Sequence, residues 1–299
     1  MKGFWYVFLE TMTRIFGTWL FAIVSKCIAA GYFLFSKNVQ ESHRFYRILY
    51  PEKKSVFHKF CTFRQYQNFT TIHLDRFLAS HGRQTAFQSE GWEKLEAVVQ
   101  EKGAILLMSH LGNWEIAATI LRQQKNSLNL LLYMGVKEKE GVEGLQKEQL
   151  QESGVKIIGV ERDGGSPFDA VEGIRFLQNG GLVSMTGDIL WREDQRSLQV
   201  NFLGGKANIP EAPYIFALVS GAPIFCFFSY RTGKNSYRFS LAEPIYISSG
   251  QRKDRRKLIQ AAAQQYADLL EMQLRAHPLE WYHFDRFVLL QTDRKLKTE

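Results

Sequence analysis

The stretch Ala104-Ile105-Leu106-Leu107-Met108-Ser109-His110-Leu111-Gly112-Asn113-Trp114-Glu115 decides the reading of this chain. Its five leading apolar residues read as a short buried strand, and Ile116-Ala117-Ala118-Thr119-Ile120-Leu121 beyond it reads as a helix burying one face. On one unbroken helix, residues five apart sit about 140° round the axis, so His110 and Glu115 would not face each other. They meet only if the chain bends between them. Gly112 supplies the freedom to bend and Asn113 a helix cap. A carboxylate on one imidazole nitrogen fixes the tautomer and leaves the other nitrogen to take a proton. That equipment suits the activation of a hydroxyl or an amine. Taken alone, a histidine at a strand end is usually just a satisfied polar residue, so the surrounding text must carry the decision.

From Gly91 onward that text alternates. The expected order is helix about 91–102, strand about 104–109, helix about 113–123, strand about 128–134, helix about 142–152 and strand about 156–160. Helix about 168–178 and strands about 182–186 and 198–202 follow, then helix about 210–219, strands about 223–230 and 237–246, and a long helix about 253–276. The pattern predicts an α/β layered domain with a mixed sheet, spanning 37–299 without an internal linker or repeat. Lys137-Glu138-Lys139-Glu140 reads as a solvated loop.

Upstream, Ile15 to Phe35 is 21 residues with one charge, Lys26. At helical rise it would cover about 30 Å. Trp5, Tyr6, Trp19 and Tyr32 are residues of the kind found at a membrane interface. Residues 1–36 are therefore expected to form an N-terminal membrane-anchoring helix, either crossing the bilayer with Lys26 snorkelling or facing protein, or lying in its interface. Ser55 to Ser80 carries Phe57, Phe60, Phe63, Tyr66, Phe69, His73, Phe77 and Leu78 at mostly three- and four-residue spacing, an amphipathic helix with an aromatic face. Most of these rings are expected in a core, with a few left to line an apolar slot.

Length and charge agree with one enzyme on a membrane face. The chain of 299 residues supports a core large enough for a buried site, and its net charge of +8 suits an anionic partner. Arg252, Lys253, Arg255, Arg256 and Lys257 form one basic run, and Arg294, Lys295 and Lys297 another. Such runs are most often solvated; their functional reading is contact with anionic headgroups or an acidic carrier protein. No zinc, helix-turn-helix or RNA-recognition signature accompanies the charge, so no nucleic-acid partner is expected. Cys27, Cys61 and Cys226 are scattered and odd in number, which argues for a reducing compartment and against a metal site.

Read in order, Ser109 to Glu115, Val160-Glu161-Arg162-Asp163, Leu182 to Asp188, Val200 to Ala207, Ala217 to Ile224 and Pro278-Leu279-Glu280-Trp281-Tyr282-His283-Phe284 form a set of blocks. In order and spacing this set resembles the bacterial lipid A biosynthesis acyltransferases, the lauroyl/myristoyl branch of the lysophospholipid acyltransferase superfamily. His110 to Glu115 is similar to that branch's His-x4-Glu block, and the end to its Pro-x-x-Trp-Tyr close. The resemblance implies a bacterial inner-membrane enzyme with its catalytic domain on the cytoplasmic side. It would use no cofactor, take an acyl group from acyl carrier protein or coenzyme A, and pass it to a hydroxyl of a lipid or glycolipid. One departure stands out: Gly187-Asp188 is followed by Ile189-Leu190-Trp191-Arg192, where many members carry charged or glycine residues. The resemblance implies a lipid A-type acceptor, and this departure keeps open the alternative of a different one: a pigment lipid, an aminolipid or a lysophospholipid.

His110 is then the expected general base and Glu115 its orienting carboxylate. The positive end of the helix after Asn113 would favour charge on the reacting carbonyl oxygen. Arg162 could pair an acceptor phosphate, or simply form an ion pair with Asp163 or Glu161. Asp188 could position an acceptor hydroxyl, or serve a turn. Gly204 and Lys206 lie in a loop that could approach a phosphate, with a plain hairpin as the alternative. Ser109 lacks the glycines of a nucleophile elbow and reads as structural. Two other readings remain from the residues: a non-catalytic membrane lipid-binding protein, and a hydrolase using the same base on water.

Overall fold

The computed structural model describes residues 18–80, 85–116, 129–135, 156–160, 167–192, 194–248, 251 and 253–290. The expected helix about 142–152, the loop at Lys137, Arg162, Arg252, the residues before Thr18 and the C-terminal basic run lie outside these. The chain divides into two compact units, Met1–Gln84 with His277–Arg286, and Thr85–Ala276 with Phe287–Glu299.

The first unit is helical. It holds α1 (Thr18–Phe35), α2 (Val39–Leu49), α3 (Ser55–Ser80) and a 3-10 turn at Pro278–Glu280. Ser42, Phe45, Tyr46 and Leu49 of α2 are buried, the three-and-four spacing that puts one stripe of a helix into a core. Trp281 and Tyr282 are buried too, and the returning segment is tied to the helices by polar bonds as well as rings. Tyr46 Oη donates to Pro278 O at 2.9 Å, Asn68 Nδ2 to Leu279 O at 3.1 Å, and Gln65 Nε2 to Trp281 O. Tyr66 and Phe69 stack on or edge against Phe284 at centroid distances of 4.8 and 5.0 Å. The aromatic face expected on α3 thus enters a core at Tyr66, whereas Phe60 stays 56% exposed. Among the described residues, no helix is long and apolar enough to cross a membrane.

His73 gives this unit a pH dependence. Its ring meets Phe69 edge-on at 4.5 Å, and burial, followed by the charge of Arg76, lowers its pKa to about 3. The unfolded chain takes up a proton near pH 6.5 that the folded unit refuses. Stability from this group is therefore complete above about pH 6.5 and falls as pH drops, by up to about 1.4 kcal/mol per unit. Urea midpoints at pH 7.5 and 4.5 should differ more in the wild type than in His73→Phe; equal differences would show that His73 does not set the slope.

The second unit is the α/β layer. Along the chain come β1 (Ala86–Glu90), α4 (Trp92–Glu101), β2 (Ala104–Met108), β3 (Leu130–Gly135), β4 (Lys156–Val160), α5 (Pro167–Gln178) and β5 (Leu182–Thr186). Then follow β6 (Ser197–Phe202), β7 (Gly205–Pro210), α6 (Ala212–Ser220), β8 (Ile224–Gly233), β9 (Ser236–Leu241) and α7 (Arg255–Ala276). Seven strands make one mixed sheet in the order β1-β9-β8-β2-β5-β3-β4, and β6 with β7 form a separate hairpin. All pairings in the large sheet are parallel except β8 with β9. Every residue of β2 and of β5 is buried, as parallel strands covered on both faces require. Ile259, Ala262, Ala263, Tyr266, Ala267, Leu270 and Leu274 bury a single stripe of α7.

The expected mixed α/β sheet is present. Three elements were not expected from the sequence: α2, β1 and β7. β1 is a mostly exposed edge strand, so it carries no hydrophobic alternation to read. β7 begins at a glycine and ends at a proline, residues that ordinarily mark a break in a strand.

Candidate active site

β2 and β5 lie side by side, parallel, with Met108 opposite Thr186. The segments leaving their carboxyl ends, Ser109-His110 and Gly187-Asp188, therefore emerge together at the middle of the sheet. Gly187 N continues the ladder by donating to Met108 O at 2.8 Å. The crevice beyond the carboxyl ends of parallel strands is where open α/β sheets place their ligands.

The Asp188 side chain is fully buried there. Its Oδ2 accepts from the His110 backbone N–H at 2.6 Å, and its Oδ1 lies 3.0 Å from His110 Nδ1. Because a carboxylate faces Nδ1, that nitrogen carries the proton, and Nε2 on the far side of the ring is the basic one. The His110 side chain is 24% exposed, so a solute can reach the ring.

The chain turns immediately after the histidine. Gly112 has φ +80°, and it forms a parallel bridge with Ser229 of β8. Asn113 N donates to Ser229 O at 2.8 Å. Asn113 Oδ1 then accepts from Ile116 N at 3.4 Å, capping the helical turn that opens at Trp114. Its Nδ2 donates to Tyr237 Oη at 3.2 Å, which leaves the buried asparagine satisfied on both sides of its amide. The bend and the cap expected from the sequence are therefore both in place. Glu115 is half-buried in the capped turn, while Leu111 and Ile116 are buried against the core. Ser109 is buried, and its Oγ accepts from Leu111 N at 3.3 Å, a local structural bond.

Gly112 has no tolerated replacement. A Cβ there would stand 1.9 Å from Ser229 O, and the left-handed backbone disfavours any side chain. Strain of about 1–2 kcal/mol for the conformation adds to about 1–3 kcal/mol for overpacking. Gly112→Ala should accordingly lose roughly 2–5 kcal/mol in a denaturant titration. A midpoint unchanged from wild type would mean that β8 does not hold this turn.

The other expected site residues stand apart from the pair in their partners. Gly204, with φ 74°, and Leu203, with φ 48°, form the two-residue turn of the β6–β7 hairpin, in which Phe202 faces Gly205. The Leu203 backbone N–H donates to Glu271 Oε2 of α7 at 2.6 Å. Lys206 is exposed, donates from Nζ to Asn201 Oδ1, and pairs through its backbone with Leu289. The segment following Asp188 is half-exposed through Ile189, Leu190, Trp191 and Arg192; Trp191 N donates to Gln195 Oε1 at 2.8 Å and Arg192 forks onto Asp194. Among the described residues, no group of three or more histidine, cysteine or acidic side chains is placed to hold a metal ion.

The pairing of His110 with Asp188 was not read from the sequence, although both residues were singled out. Seventy-eight positions separate them, and only the parallel register of β2 and β5 joins them. The available signal was that two short strands, the apolar β2 and the largely apolar β5, each run into a short polar segment, one with a histidine and one with an aspartate.

An α/β sheet that carries a histidine–carboxylate pair at the carboxyl ends of two adjacent central strands is built for proton transfer. Residues 61–288 match the family model of bacterial lipid A biosynthesis acyltransferases, and the chain belongs to that family. It is also similar to phosphatidylinositol mannoside acyltransferase from Mycobacterium tuberculosis, in the strains ATCC 25618/H37Rv and CDC 1551/Oshkosh. Each match is 24% identical over 187 residues, covering 60% of this chain and 52% of the relative. The chain thus spans about half the length of the curated relatives it matches.

Proposed function

We propose that this protein transfers a fatty acyl group from an acyl thioester, on acyl carrier protein or coenzyme A, to a hydroxyl of a lipid or glycolipid. The observation that carries this reading is the His110 ring held at Nδ1 by the buried Asp188 carboxylate. Nε2 takes the proton of the acceptor hydroxyl as its oxygen attacks the thioester carbonyl. The new ester C–O bond forms, the C–S bond breaks, and the departing thiolate receives the proton from the imidazolium. Asp188 stabilises that imidazolium and holds its orientation. Glu115, in the turn capped by Asn113, is the second proposed carboxylate of the site. Arg162, Lys206 and the backbone at Gly204 are the proposed contacts to anionic groups of the acceptor. A glycolipid acceptor agrees with the name of the mycobacterial relatives.

Attachment to the cytoplasmic face of a bacterial inner membrane belongs to the same proposal. On α1, Ile23, Ile28, Tyr32, Leu34 and Phe35 are exposed, as are Val56 and Phe60 on α3. Apolar side chains in that number suit a helix lying in a membrane interface.

A donor-only incubation separates transfer from hydrolysis and from simple binding. With acyl thioester alone the protein should release little free acid and carry no acyl group after quenching, because attack is direct. Adding lipid extract from the host should yield a new acylated lipid, identified by mass spectrometry. Fast acid release that lipid cannot divert would make the protein a thioesterase, and tight lipid retention without turnover would make it a binder. Removing residues 1–36 should shift the protein to the soluble fraction; if it still sediments with membranes, the attachment lies elsewhere.

A further inference from the structure

Behind the histidine–aspartate pair, on the core side, stands a residue to which the sequence assigned no role. Tyr266 of α7 is fully buried. Its Oη lies 3.4 Å from Met108 O, the same carbonyl that accepts Gly187 N at 2.8 Å. Its ring fills the space where Gly187 would carry a side chain: a Cβ there would sit 2.5 Å from Tyr266 Cζ and 2.6 Å from its Oη. Gly187 is thus glycine because an aromatic ring lies against its backbone, on the residue immediately before Asp188.

From these contacts we infer that Tyr266 is a positioning residue for the site. It clamps the carboxyl end of β5 to that of β2 and so fixes the carboxylate of Asp188 against the ring of His110. The inference rests on the proposed acyl transfer for its kinetic consequence, but its structural consequence does not depend on that reading. Met108 O is the last acceptor of β2 before His110, and Gly187 N the first donor beyond β5, immediately before Asp188. A hydroxyl and a ring laid across that junction remove the freedom of both segments to splay. Small displacements matter here, since a misplacement of about 1 Å at a reacting group costs on the order of 10²-fold in rate.

The groups that face Tyr266 agree with a held, uncharged phenol. Burial first, and then the charges of Asp188, Tyr214 on α6 and Cys226 on β8, push its ionisation well above the ordinary range. Tyr214 provides an internal control. It is equally buried, yet among the described residues its Oη has no hydrogen-bond partner, so losing that hydroxyl breaks no bond seen there.

Tyr266→Phe keeps the ring against Gly187 and removes the oxygen. With acyl donor and lipid acceptor, its kcat should fall about tenfold while both KM values stay within about twofold of wild type, the split expected when alignment rather than binding is lost. Tyr214→Phe should leave both parameters unchanged. A second measurement is independent of turnover: the Nδ1–H proton shared by His110 and Asp188 should give a low-field NMR resonance, absent in His110→Gln. That signal should broaden or vanish in Tyr266→Phe and persist in Tyr214→Phe. Should the wild type transfer no acyl group and the signal still respond, the function reading fails and the clamp stands. A Tyr266→Phe protein with wild-type kcat and an intact signal would reduce Tyr266 to core filling. If Tyr266→Phe does not fold, 4-aminophenylalanine at position 266, which keeps a donor on the ring, should retain kcat and the resonance; loss of both in that folded variant would overturn the clamp.

Discussion

His110→Ala is expected to lower turnover by about 10²–10⁴-fold while the protein stays folded. The magnitude follows from losing proton transfer at the step in which the acceptor oxygen attacks. Donor and acceptor binding should change little, because the ring is only partly exposed and carries no proposed binding role. The loss should therefore appear in kcat. The check is a steady-state assay alongside a thermal melt. A rate within a few-fold of wild type, in a protein that melts normally, would remove His110 from the mechanism.

Asp188→Ala is expected to be nearly as severe in rate and, unlike the histidine change, costly to the fold. The carboxylate accepts two bonds from one residue, the His110 backbone N–H and Nδ1. Removing it leaves the buried backbone donor unmatched, at about 1–3 kcal/mol. It also frees the imidazole to take the wrong tautomer, which in comparable histidine–aspartate pairs costs about 10⁴-fold in kcat. Asp188→Asn keeps the volume and should retain more stability than Asp188→Ala while losing comparable rate. Combining Asp188→Ala with His110→Ala should cost far less than the product of the single losses, because the two act as a unit. Multiplicative losses would show that the bond between them is not used in the reaction. Glu115→Ala in the same assay, also expected to be severe, ranks the two carboxylates. The carboxylate that lies on Nδ1 is that of Asp188.

The difference between those two carboxylates shows where local reading ends. His110, the bend at Gly112 and the cap at Asn113 were all legible, because a strand-to-helix turn is specified by residues adjacent in the chain. Glu115 was chosen as the partner from its place in the bend after His110 and in the His-x4-Glu block. Asp188 was visible as a site residue but was assigned to a hydroxyl of the acceptor. Tyr266 had no role in the sequence beyond its place in the long expected helix about 253–276. Gly187, ordinary turn chemistry on paper, proved to be a steric requirement set by that tyrosine.

By itself the sequence determined what depends on period and on chain neighbours. The strands β2 and β5, the long helix α7, the aromatic helix Ser55–Ser80, the alternation of a mixed α/β sheet and the family resemblance belong to this part. Tertiary structure alone decided the pairing of β2 with β5, and through it the contact between His110 and Asp188 and the clamp at Met108, Gly187 and Tyr266. It also decided that the exposed edge β1 and the glycine- and proline-bounded β7 are strands. The physical reason is the same in each case. Hydrophobic periodicity states which side of an element is buried, but not which other element buries it, and parallel strand register is settled only when the whole layer closes around its core.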